Sequence, residues 1–95
     1  MSRASSAPAW VYMLRCRDGS LYTGWSTDVE RRLASHRAGS ASKYTASRLP
    51  VELVYAAPMA DAAAARREEA RIKSLDRAAK MALLDMTVQA PVAAG

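Results

Sequence analysis

Asp18-Gly19 stands between two apolar runs, WVYMLRC (residues 10–16) and SLYTGW (20–25). Two such runs about an Asp-Gly pair commit this stretch to an antiparallel hairpin. Loop length then decides its faces, because side chains alternate along a strand and a slip of one residue inverts them all. A two-residue turn pairs Arg17 with Ser20 and puts Tyr12 and Tyr22 on opposite faces. A three-residue loop, Arg17-Asp18-Gly19, pairs Cys16 with Ser20, Leu14 with Tyr22 and Tyr12 with Gly24, so that both tyrosines share a face. This longer loop is a type I turn closed by a left-handed residue in a G1 bulge, a conformation that Gly19 suits. We expect the longer loop, with Gly24 leaving room above the sheet for a ring, a water or a phosphate.

Around the hairpin, residues 1–9 (MSRASSAPA) read as a disordered tail and residues 87–95 as a flexible one. Residues 10–86 form one domain, since a chain of 95 residues has no room for two. Thr27 with Glu30 three residues on is a capping-box pattern, marking Thr27 as the N-cap of a helix that Gly39 stops. SASKYTASRLP (40–50) reads as a polar, basic loop, and VELVYA (51–56) as a third strand. Asp61 caps an alanine-rich helix, and Asp76 caps a shorter last one. The predicted order is strand, strand, helix, strand, helix, helix.

The core this can build is limited. Apolar residues make up 51%, but many are alanine and none is phenylalanine. The expected core is Trp10, Val11, Met13, Leu14, Leu21, Trp25, Leu33, Val51, Leu53, Val54, Ile72, Leu75, Leu83 and Leu84. The single cysteine, Cys16, excludes an intrachain disulfide and a cysteine-built zinc site, and reads as a small buried hydrophobe. No apolar run approaches the ~20 residues of a membrane span, and MSRASSAPA has no apolar h-region. The expected compartment is a reducing cytoplasm.

Fourteen basic residues against nine acidic give a net charge of +5, which suits a polyanion, nucleic acid first. Solubility alone is the other reading of such charge. Arg32 and His36 are four apart and share a helix face. A guanidinium is a permanent planar fork for phosphate oxygens, and a histidine can move a proton near neutral pH. Glu68 and Glu69 precede Ile72 by four and three, so either can border the buried stripe as a single ligand for a hard metal. Pairing of Glu69 with Lys73 is the plainer use of that carboxylate. Arg37, Lys43, Tyr44 and Arg48 combine positive charge with a ring, which suits a phosphate backbone and an unstacked base.

Taken in order, these residues resemble the GIY-YIG nuclease family from about Trp10 to Leu84. WVY (10–12) and YTG (22–24) stand as its two motifs, followed by TDVERRLASH, SKYT and EARIK in the family's order. The chain is most similar to the small stand-alone bacterial branch. Trp10 replaces the first motif's glycine and Thr23 the second's isoleucine, and neither position supplies a reacting group. The resemblance implies an α+β fold with a small antiparallel three-stranded sheet flanked by helices. It implies structure-selective hydrolysis of DNA phosphodiesters, linked to repair or recombination, with one Mg²⁺ or Mn²⁺ ion. Position by position, Tyr12 and Tyr22 match the motif tyrosines, Arg32 the essential arginine, His36 a position often histidine, and Glu69 the metal-binding glutamate. On that reading Glu69 holds the ion and Arg32 stabilises the transition state. Tyr12, Tyr22 or His36 takes the proton of the attacking water, with Arg32 favouring a Tyr12 phenolate. A non-catalytic nucleic-acid-binding module and a protein-interaction domain are the competing classes; a mere binder has no need of the carboxylate.

Overall fold

The computed structural model describes residues 7–87, with side chains described as far as residue 84. The tails expected at 1–9 and 87–95 therefore lie almost wholly outside the described residues. The elements are β1 (Ala9–Arg15), β2 (Leu21–Ser26), α1 (Val29–Arg37), α2 (Lys43–Ala46), β3 (Glu52–Met59), α3 (Ala62–Lys73) and α4 (Arg77–Thr87). The three strands form one antiparallel sheet in the order β2-β1-β3.

The hairpin has the longer loop. Leu14 pairs with Tyr22 and Tyr12 with Gly24. The Cys16 N–H donates to the Ser20 carbonyl, the Gly19 N–H donates to the Cys16 carbonyl, and Gly19 sits at φ +85°. Asp18 braces the loop by accepting from the Ser20 N–H (3.0 Å) and hydroxyl (2.6 Å).

At α1 the N-cap is Asp28, not Thr27: its carboxylate accepts the Arg31 N–H at 3.1 Å. A carboxylate caps with a hydrogen bond and also with charge against the helix dipole, an advantage a threonine hydroxyl lacks. Gly39 follows the helix at φ +80°, as the sequence predicts. Asp61 and Asp76 also cap as expected, accepting the N–H groups of Ala64 and Ala79.

Two features depart from the expected pattern. The 40–50 segment contains the one-turn helix α2, whose N-cap Ser42 accepts the Thr45 N–H. In β3 the register shifts between Met13 and Leu14: Met13 faces Tyr55 but Leu14 faces Leu53, leaving Val54 as the extra residue of a bulge. The bulge turns Tyr55 to one face of the sheet and Leu53 to the other.

The core is accordingly double. Val11, Met13, Tyr55, Ile72 and Leu84 pack on the face covered by α3 and α4, and Tyr12, Leu14, Cys16 and Val51 pack on the other with Val29 and Leu33 of α1. Cys16 is a small buried hydrophobe, as expected. Trp10 is not core: it stands at the end of the sheet, 36% exposed, where the face beyond Tyr12 runs out of cover. The core also includes Tyr12, Tyr55, Ala9 and Ala65, which the apolar pattern left out.

Candidate active site

Tyr12 lies on the central strand between two small residues, Gly24 on β2 and Ala56 on β3. Its ring fills the space above Gly24. A Cβ on that glycine would stand 2.7 Å from the phenol oxygen. Only 1% of Tyr12 is exposed, and its hydroxyl is 2.8 Å from His36 Nε2. His36 reaches it from α1 and is fully buried. Its other nitrogen, Nδ1, is 2.8 Å from the hydroxyl of Thr45 on α2.

Tyr22 completes an aromatic cluster. Its ring centre is 6.5 Å from that of Tyr12 and 5.0 Å from that of His36, the latter edge to face. Tyr44 lies outside it at 6.1 Å, with the Arg48 guanidinium 3.8 Å from the Tyr44 ring centre. Arg48 is tied into the fold on its other sides: it pairs with Asp18 at 3.1 Å and donates to the Tyr44 carbonyl. Lys43 is exposed at the start of α2. Arg37 borders a separate groove with Leu49, Pro50 and Val51.

Burial raises the pKa of Tyr12 above 10.0, and the nearby Arg32 guanidinium opposes it without prevailing. Tyr22 and the Glu69 carboxylate push in the same direction as burial. The expected phenolate is therefore not the resting state: desolvation of the ionised oxygen outweighs one nearby cation. Burial, then the charge of Arg32, lower the pKa of His36 below 6.5, so the imidazole is neutral at pH 7. The sign of the linkage follows. The unfolded chain takes up a proton on its one histidine as pH falls below 6.5, before the folded chain does, so stability drops with pH there. A lower Tm at pH 5.5 than at pH 7 is the expected result. An unchanged Tm across this range, by circular dichroism, counts against a neutral buried His36.

The two α3 carboxylates are distinguished. Glu68 is clamped by Arg71 through two bonds of 2.9 and 2.6 Å, and its charge acts on Tyr55. The charge of Glu69 acts on Tyr12, and its carboxylate pairs with Lys73 at 3.1 Å. Among the described residues no group of three or more His, Cys, Asp and Glu comes together. A lone carboxylate does not make a zinc or calcium cage, but it fits Mg²⁺ or Mn²⁺, which keep most of their waters and take further oxygens from substrate phosphate.

Tyr12, Tyr22 and His36 thus come together across β1, β2 and α1, and the charges of Arg32 on α1 and Glu69 on α3 act on Tyr12. The residue that sequence reading passes over is Thr45. It lies one position after Tyr44 in SKYT, and nothing in a polar loop pattern marks its burial.

The chain belongs to the GIY-YIG family: the sequence model of the GIY-YIG catalytic domain matches residues 8–82, and the family defines a nuclease fold. Within it the chain is similar to small UPF0213 proteins. That of Streptococcus agalactiae serotype V is 49% identical over 74 residues, covering 78% of this chain and 84% of the relative. That of Natronomonas pharaonis is 49% identical over 79 residues, covering 83% and 93%. The solution NMR structure of a UPF0213 protein from Bacillus halodurans superposes with a TM-score of 0.57 at 40% identity, covering 85% of this chain and 86% of that one. The α+β order of elements agrees with that expected from the sequence. Among the described residues no helix is long and apolar enough to cross a membrane.

Proposed function

We propose that this chain is a divalent-metal-dependent nuclease that hydrolyses DNA phosphodiesters, choosing its substrate by strand structure, in repair or recombination. One observation carries the reading: the buried Tyr12 hydroxyl lies 2.8 Å from His36 Nε2, with the Tyr22 ring packed beside both. A binding module has no need of a buried phenol bonded to an imidazole, with a carboxylate on α3 near enough for its charge to act on that phenol.

The residues divide the work as follows. Tyr12 takes a proton from the attacking water while its own proton passes to His36 Nε2, so a neutral pair does what a phenolate would otherwise do. The water oxygen bonds to phosphorus as the bond to the leaving sugar oxygen breaks, and that oxygen takes its proton from solvent. Arg32 donates to the phosphoryl oxygens, where charge grows in the transition state. Glu69 holds the ion, which when bound offsets phosphate charge as a Lewis acid. Tyr22 packs both rings into place. Lys43, Tyr44 and Arg37 meet the flanking backbone and bases, and Arg48 holds Tyr44 in position for that contact.

The test is cleavage of labelled duplex, nicked, flapped, branched and single-stranded DNA, and of RNA, by the purified chain with Mg²⁺, Mn²⁺ or EDTA. Cutting of branched or interrupted DNA that EDTA stops supports the reading. Tight, salt-sensitive binding without cutting under any metal overturns it and leaves a binding module.

A further inference from the structure

We propose that Thr45 is a positioning residue that sets the tautomer of His36, holding the proton on Nδ1 and leaving Nε2 free to take one from Tyr12. The structural part stands on hydrogen bonding alone; its catalytic consequence rests on the nuclease reading above.

Both imidazole nitrogens have a hydroxyl partner at 2.8 Å, Tyr12 on Nε2 and Thr45 on Nδ1. A neutral histidine donates from one nitrogen and accepts at the other, while a hydroxyl can do either. The bonds alone therefore fit two opposite directions, and the neighbours at each end decide. At the Tyr12 end the partner is a phenol, whose pKa of about 10 makes it a better donor than an aliphatic hydroxyl. Tyr12 therefore gives its proton to Nε2, 2.8 Å away. At the Thr45 end, the Ser42 carbonyl lies 3.4 Å from the threonine hydroxyl and can only accept. The Ser42 hydroxyl, 3.0 Å from that of Thr45, already accepts the Thr45 N–H. The threonine proton points to Ser42 and its lone pair faces Nδ1. Both ends select the same direction: Tyr12 to His36, His36 to Thr45, Thr45 to Ser42.

With the opposite tautomer the site looks almost the same and fails chemically. Nε2 would carry a hydrogen toward Tyr12, and His36 could not accept the phenol's proton. The one-turn helix α2 acquires a purpose here. Its Ser42 cap fixes the Thr45 backbone, and the Asp18–Arg48 pair and the Arg48–Tyr44 stack tie the helix to the hairpin loop.

His36 is the chain's one histidine, so selective ¹⁵N-histidine labelling gives a single pair of ring resonances. At neutral pH the full-length chain should show Nδ1 protonated and Nε2 bare. Thr45→Val removes the acceptor, and the Nδ1–H form should give way to Nε2–H. DNA cleavage should fall by roughly 10- to 100-fold in kcat with little change in KM, the range for residues that orient a catalytic or metal-bound group. Thr45→Ser, which keeps the hydroxyl, should restore both readouts. If valine unfolds the chain, Thr45→Ala takes its place.

A wild-type spectrum with Nε2 protonated overturns the proposal, as does a folded Thr45→Val that stays wholly Nδ1–H. A wild type that has the expected tautomer and loses it in Thr45→Val, yet cuts no nucleic acid, refutes the nuclease reading and leaves the tautomer assignment intact. Cutting that persists at the parental rate in Thr45→Val refutes the catalytic role of Thr45 and leaves the nuclease standing.

Discussion

Glu69→Ala ends metal-dependent cleavage, while Glu68→Ala, one residue away, leaves the rate within a few-fold. The loss for Glu69 should be on the order of 10²- to 10³-fold or more, as for removal of one main electrostatic stabiliser of a transition state. The contrast follows from where α3 sends the two side chains. Glu68 is held in a two-pronged bond by Arg71 and its charge is felt by Tyr55, on the face packed by α3 and α4. Glu69 is felt by Tyr12, whose hydroxyl lies over the edge strand β2. Among the described residues Glu69 pairs with Lys73, whose side chain is 55% exposed. Such a pair contributes about 0–1 kcal/mol, so a divalent ion with substrate phosphate can displace it. Rates at saturating Mg²⁺ with both variants, each checked for folding by circular dichroism, decide the point. Parental cutting by Glu69→Ala, or a loss confined to Glu68→Ala, removes Glu69 from the metal site.

Much of this site was legible before the fold. The hairpin register came from one turn: Gly19 admits a left-handed residue, a three-residue loop follows, and alternation then carries Tyr12 and Tyr22 to one face. Helix periodicity placed Arg32 with His36, because spacing of four is a property of the helix and needs no tertiary contact. What sequence did not disclose depends on contacts between distant segments. The α2 turn is too short for periodicity to register, so Thr45 looked like loop. The Val54 bulge leaves no mark in an alternating pattern, yet it decides that Tyr55 and Leu53 part company. Asp28 won the cap from Thr27 although the capping-box spacing favoured the threonine. Burial of Tyr12 was the costliest omission: an exposed phenol beside an arginine would lean toward the phenolate, and a sealed one does not. Trp10 failed as core for the complementary reason, since size marks a residue as apolar but the end of a sheet has nothing to cover it.

Gly24→Ala should damage the site more than its single added methyl suggests. The glycine is not in the left-handed region, so alanine carries no backbone strain there. Through the unfolded chain alone it would even stabilise, by about 0.4–1 kcal/mol. Any loss is therefore steric. The new Cβ would lie 2.7 Å from the Tyr12 oxygen, 2.9 Å from its Cζ and 3.2 Å from Tyr22 Cε2. A long side chain could normally yield at its tip, but this one is hydrogen-bonded to His36 and sealed, with Ala56 on the opposite side. Either the ring swings and the bond to His36 breaks, or β2 bows away and carries Tyr22 with it. Overpacking of this kind costs about 1–3 kcal/mol, a fall in Tm of roughly 4–8 °C per kcal/mol for a domain of this size. Cleavage should fall with it by at least the factor of about 10² that a general base contributes. Tyr12→Phe separates the two effects. It removes the atom nearest the methyl and releases the ring from His36, so Gly24→Ala should cost less stability in that background than in the parent. The four melting curves form a double-mutant cycle whose coupling reports the contact directly. Additive losses would mean that the phenol and the glycine do not meet, and the space over Gly24 would then be free for substrate rather than filled by Tyr12.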